Sequence, residues 1–308
     1  MFTGEFPSTH QVTQSGDMLD PAFRTAADWL RQSGYHTTGF CNNPLVGVIE
    51  NAFTRGFETF YNYGGAAPTT PVHALRQPVR LLSQIGERYT RLLQRISYPI
   101  QNAVARSEAA FRFSLNPLLV PIWTRIANFK GKTRLSIDDT DHFIHANLTP
   151  GQARRHFVFL NVMETHLPFT PPEAFTRRFA PILKEERAAA DFMRVYNTLA
   201  MRWLMPMEEP FSPLEAETLS QMYDAEVAYQ DHLLGKLLET LDQPYHRDHT
   251  AVIILSDHGE MLGEQRQMGH GFGVHEELIH VPLMIRLPGQ EQAQRVPHVV
   301  STAQIFHT

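Results

Sequence analysis

Two short, unbroken apolar runs constrain the fold of this chain more than any other feature. HFVFLNV (156–162) and TAVIILS (250–256) are dense in Val, Ile, Leu and Phe, and each ends in polar residues. A strand with one wet face alternates apolar and polar residues, whereas an unbroken run needs cover on both faces. Such strands belong to parallel or mixed sheets with helices on either side. PLMIRL (282–287) is a weaker run of the same kind. Between the first two runs, Leu219, Met222, Tyr223, Glu226, Val227, Leu233 and Leu237 keep mostly to helical spacing, which predicts a helix over 215–241. Upstream, Phe23, Ala26, Ala27 and Leu30 mark a helix over 21–33, closed by Gly34, and YHTTGFC (35–41) reads as a strand. Helix-to-strand steps of this kind build parallel sheets, so the pattern predicts an α/β fold.

Composition agrees with that class. The 308 residues are 43% hydrophobic and 19% charged, enough for one large α/β domain or two ordinary ones. The net charge of −5 gives no general bias toward nucleic acid. One stretch departs from it. Residues 76–134 hold eleven Lys or Arg against Glu87 and Glu108, a formal +9, with Leu82, Ile85, Tyr89, Leu92 and Ile96 at helical spacing. It reads either as a solvated basic helical excursion or as a surface for a membrane face or an anionic substrate. It has no pattern of stacking aromatics and no recognised nucleic-acid motif. Cys41 is the single cysteine, which excludes an internal disulfide and a cysteine-built zinc site, and it reads as a buried strand residue. No stretch approaches the roughly 18 apolar residues of a membrane span. MFTGEFPSTH lacks the pattern of a signal peptide, and both ends of the chain are expected to lie inside a larger fold.

Ligands of open α/β sheets bind at the carboxyl ends of strands, so the polar residues there are the first candidates. Asp257, His258, Gly259 and Glu260 follow TAVIILS; Glu164, Thr165 and His166 follow HFVFLNV; His270 stands between Gly269 and Gly271. A carboxylate and an imidazole at a strand end suit a divalent cation, and Gly259 lets the backbone turn away. Asp-His-Gly is also a good turn, and a histidine in a loop is often no more than that. Several such sites converging on strand-end loops favour chemistry over coincidence.

The residues also resemble a known family. Ser256-Asp257-His258-Gly259-Glu260, Leu262-Gly263-Glu264, Gly269-His270-Gly271 and Val281–Arg286 resemble the C-terminal core motif of sulfatases, within the alkaline phosphatase superfamily. Phe159–Asn161 through His166-Leu167-Pro168-Phe169 resembles the family's central strand and loop. Tyr223–Asp231 resembles the helix before its metal-binding strand, and Met1–Gly4 with His10 the segment after its nucleophile. The resemblance implies an alkaline-phosphatase-like mixed, mostly parallel sheet flanked by helices, here expected to lack its first strand. Residues 1–308 would form a single incomplete catalytic domain.

The resemblance further implies a hydrolase of sulfate esters with one divalent cation, commonly Ca2+, with Mn2+ or Mg2+ as alternatives. Asp257 and His258 would be metal ligands, His166 and His270 would be catalytic, and His10 and Asn43 would contact a small-molecule or glycan ester. The family's nucleophile, a formylglycine or an unmodified Ser or Thr, would precede Met1, so this exact chain is expected to be inactive. His258 and His270 stand where many sulfatases have Asn and Lys, which leaves phosphate or phosphonate esters, or transfer of a phosphoglycerol group, as alternatives. A non-catalytic remnant that binds a partner or an anionic glycan is the alternative from a different class.

Overall fold

Three parallel strands carry the centre of the fold. β1 (Tyr35–Cys41) lies between β2 (Thr59–Asn62) and β3 (Arg155–Asn161). The register sets Cys41 opposite Asn62 on one side and Asn161 on the other, so the three carboxyl ends finish on one line. Strand β1 spans the residues its sequence predicts, and β3 begins one residue before its apolar run. The computed structural model describes residues 2–14, 16–65, 130–198, 206–271 and 273–307, with scattered positions between 92 and 113. Most of the basic segment 76–134 lies outside the described residues.

Helices cover the sheet for local reasons. α1 (Ala26–Gln32) starts with a capping box of Thr25 and Asp28 and stops at Gly34, whose φ of +84° is the left-handed form glycine adopts freely. α2 (Thr133–Asn147) buries Ile137 and Ile144 against Leu233, Leu237 and Leu241. Those leucines belong to α5 (Pro213–Leu241), and between α2 and α5 lie α3 (Glu173–Phe179) and α4 (Arg187–Thr198). The other half of α5 packs Leu219 and Met222 against Phe169, Met193 and Tyr196. A second capping box, Ser212 with Glu215, starts α5 two residues before the predicted boundary.

The strand set is divided. β4 (Val252–Leu255) pairs antiparallel with β7 (Leu283–Arg286), and β5 (Met261–Leu262) pairs with β6 (Met268–Gly269) in a short ribbon. The α/β class with a parallel sheet flanked by helices is as predicted. The apolar run in β4 predicts cover on both faces, yet among the described residues β4 pairs only with β7, and Ile253 is 41% exposed. Among the described residues no helix is long and apolar enough to cross a membrane.

Candidate active site

Two strand ends and one ribbon bring three histidines together. His166 follows β3, His258 follows β4, and His270 follows β6. The His258 and His270 rings stack at 4.0 Å, and the His166 ring meets His270 edge-on at 5.2 Å. The ribbon explains part of this. Met261 pairs with Gly269 in antiparallel register, so the next residues out, Glu260 and His270, face each other. Glu260 Oε1 lies 3.2 Å from His270 Nδ1, with the Glu260 side chain only 4% exposed.

Neighbouring carbonyls decide the tautomers. A carbonyl oxygen can only accept, so His166 Nδ1 donates to Leu167 O at 2.8 Å, and His258 Nδ1 donates to Gly259 O at 2.8 Å. In the neutral rings this leaves the Nε2 lone pairs free. Burial lowers the pKa of His166, which favours the neutral ring. Burial would lower that of His270 as well, but the hydrogen bond and charge of Glu260, with the charge of Asp257, outweigh it and raise the pKa. One neutral and one readily protonated imidazole therefore lie side by side.

Asp257 presents a half-exposed carboxylate, with Oδ1 3.9 Å from His258 Nε2. A carboxylate and a free imidazole lone pair fit as part of a divalent-cation ligand set. Among the described residues no group of three or more His, Cys, Asp and Glu side chains is gathered as a cation site. Gly259 is required for a different reason from the one its sequence context implies. Its φ is not left-handed; instead a Cβ there would come within 1.9 Å of Glu277 O, while Gly259 N donates to Leu278 O at 2.8 Å. Close backbone approach, rather than a sharp turn, demands glycine.

The remaining sequence candidates fall nearby or apart. Asn43 sits two residues past the end of β1, where its backbone N–H donates to Asn161 Oδ1 at 3.1 Å and its own Oδ1 accepts from Leu45 N at 2.8 Å. His10 is held by Val12 N, which donates to its Nδ1 at 3.1 Å, and by an edge contact with Phe23, outside the histidine cluster. Cys41 is fully buried, as its sequence context predicts. Burial pushes its thiol up to about 12, so it carries no thiolate at neutral pH.

Sequence reasoning missed two groups. Glu260 has no assigned role until the β5–β6 register places it against His270; Gly263, which opens the turn after β5, and Gly269, which ends β6, were the available signal. The second is a buried ion pair below the His166 loop. Lys130 Nζ lies 2.7 Å from Glu226 Oε1, with Lys130 8% exposed and Glu226 fully buried. Glu226 already stood in the apolar stripe of its helix, four residues after Met222, which is the signal for a buried charge seeking a partner. Burial pushes its carboxyl up, while Lys130 pulls it back toward the ionised form.

With this geometry in view, the fold is similar to that of several solved structures. It matches the phosphonate monoester hydrolase of Silicibacter pomeroyi with a TM-score of 0.56 at 18% identity, covering 94% of this chain and 57% of that one. It matches BT4656, solved with its substrate D-glucosamine-2-N,6-O-disulfate, with a TM-score of 0.53 at 15% identity, covering 93% and 60%. These likenesses define the class, an alkaline-phosphatase-like α/β fold. The chain belongs to the sulfatase family, whose profile matches residues 1–308. Over 133 residues it is 30% identical to arylsulfatase K of Mus musculus, a match that covers 40% of this chain and 24% of that protein. The chain thus spans only part of the length of its curated relatives. Members of the family generally use a divalent metal.

Proposed function

We propose that residues 1–308 belong to a single catalytic domain of a metal-dependent sulfuric ester hydrolase, acting on the sulfate ester of a glycan or a small molecule. The observation that carries this reading is the cluster of His166, His258 and His270 beside Asp257 and Glu260. A sulfuryl group in transfer carries negative oxygens, and imidazole donors stabilise charge that develops there. His270, its pKa raised, holds a proton it can give to the leaving oxygen, and Glu260 fixes the ring through Nδ1. Burial favours the neutral form of His166, and its Nδ1 bond to Leu167 O leaves Nε2 as the nitrogen with a lone pair. Asn43 is the further substrate contact; the contacts of His10 lend that residue no support.

Asp257 and His258 would hold the cation, which when bound neutralises the charge on the transferred group. The family resemblance points to calcium, but calcium prefers an all-oxygen shell, whereas an imidazole in the set suits manganese. A phosphorus ester is the second reading, favoured by the fold likeness to a phosphonate monoester hydrolase.

The test is turnover of an aryl sulfate and an aryl phosphonate monoester by the whole protein, after chelation and after return of calcium or manganese. Faster metal-dependent turnover of the sulfate supports the reading, faster turnover of the phosphonate replaces it, and turnover of neither by the metal-loaded protein rejects it. His270→Ala should lose more turnover on esters with poor leaving groups. Equal losses on good and poor leaving groups would assign His270 to binding instead of proton donation.

A further inference from the structure

The His166 loop is gripped from beneath by the buried ion pair. Lys130 Nζ donates to Pro168 O at 3.0 Å as well as to Glu226 Oε1 at 2.7 Å, and lies 3.6 Å from Glu164 Oε2. Glu226 Oε1 also accepts from Thr170 N. One ammonium and one carboxylate therefore reach the loop two residues before His166, two residues after it, and four residues after it. The carbonyl that sets the tautomer of His166, Leu167 O, is adjacent in the chain to the carbonyl held by Lys130.

A pair of this kind is a poor device for stability alone. Desolvating both charges costs much of what their attraction returns, and well-packed apolar side chains often serve as well or better. Here the cost is visible, because Glu226 Oε2 is buried without a hydrogen-bond partner among the described residues. What apolar side chains cannot do is bond the carbonyl of Pro168 and the amide of Thr170. The pair joins α5 to the segment leading into α2, so it fastens the loop to two helices of the frame.

We propose that Lys130 and Glu226 are a positioning pair that sets the placement and tautomer of His166 by gripping its loop at Pro168 and Thr170. The proposal rests on the reading of His166 as a catalytic group.

Two readouts in the whole protein test it: steady-state kinetics, and the histidine ring-carbon NMR signals that report tautomer. Lys130→Met should lower kcat by about 100-fold with KM within about threefold, the pattern of a displaced group that acts in the transition state. It should move the His166 signal and leave those of His36 and His156, at the opposite end of the sheet, in place. Glu226→Gln, which keeps an acceptor for Thr170 N, should lose about tenfold. A folded Lys130→Met protein with a wild-type His166 signal and kcat overturns the proposal. Should that variant fail to fold, Lys130→Met/Glu226→Met removes both charges together and is read the same way: a moved His166 signal supports the pair, an unmoved one overturns it. If the wild type turns over neither sulfur nor phosphorus esters, the catalytic reading fails. The NMR comparison then still decides whether the pair positions His166.

Discussion

β1, at the centre of the parallel sheet, and the β4–β7 pair are covered differently, while β3 is only partly buried along its length. In the sheet, Phe40 is fully buried, stacked on Tyr61 at 5.5 Å and edge-on to Phe143 at 5.7 Å. In the β4–β7 pair, Ile253, Met284 and Ile285 are 41%, 57% and 40% exposed. The pair is secured instead by discrete polar ties. Arg286 donates to Leu241 O at 2.7 Å and to Asp242 at 3.2 Å, and Gly259 packs directly on the backbone at 277–278. His166 stands on the well-packed region, while Asp257 and His258 stand on the lightly packed one. A core buried on all sides loses stability when trimmed, whereas an edge built from a few contacts loses mainly the function it carries.

The largest expected effect that sharpens this contrast is at Asp257. Asp257→Ala should lower turnover by about 1000-fold while leaving the melting temperature within about 2 °C of the wild type. Near-normal activity in that variant would remove Asp257 from the ligand role. Next comes a matched pair of truncations followed by urea unfolding. Phe40→Ala should cost about 3–5 kcal/mol, since it empties a buried aromatic site. Ile253→Ala should cost about 1 kcal/mol, because a half-exposed side chain has less apolar area to lose. Equal costs would break the comparison.

A subtler effect belongs to His156, at the amino end of β3. Both of its ring nitrogens are buried without hydrogen-bond partners among the described residues, and burial first, then the charges of His36 and Arg154, lower its pKa. In the pH range between that depressed value and about 6.5 the unfolded chain binds the extra proton, so folding is favoured as pH rises. The stability is present above the ordinary histidine pKa and is lost as pH falls through the folded one. His156→Phe should flatten the dependence of the urea midpoint on pH in that range, and an unchanged slope would clear His156 of the effect. Smallest of all is the expected response of Cys41, which should resist iodoacetamide at about pH 8 in the native protein and react once unfolded. Labelling of the native protein would show that the end of β1 opens.

Much of the fold was legible in the sequence because the signals are local. Residues 35–41 read as a strand through their β-branched and aromatic side chains and the glycine before them, and the strand formed there. The long helix read from its leucines needed only its start corrected, and the Ser212–Glu215 box that places that start is itself a local pattern. The cover over β4 was not legible. Apolar periodicity records that a face avoids water without saying which element lies on it. Of the site candidates, His166, His258 and His270 meet because each follows a strand or ribbon end, a rule applicable to the bare sequence. Asn43, just past the end of β1, falls under the same rule, whereas His10 ends a short helix and had no such rule behind it.

By itself the sequence did not mark β2 or helices α2 to α4, but it determined the α/β class, strands β1, β3, β4 and β7, helices α1 and α5, and the polar residues at the strand ends. Those follow from the two periodicities of the backbone and from caps and glycines acting over a few residues. Only the tertiary structure decided that Glu260 would hold His270, that Lys130 would meet Glu226 across 96 positions of chain, and that Gly259 would have no room for a Cβ. Each of these depends on two backbones arriving at one place, and a contact of that kind leaves no periodic trace in either segment.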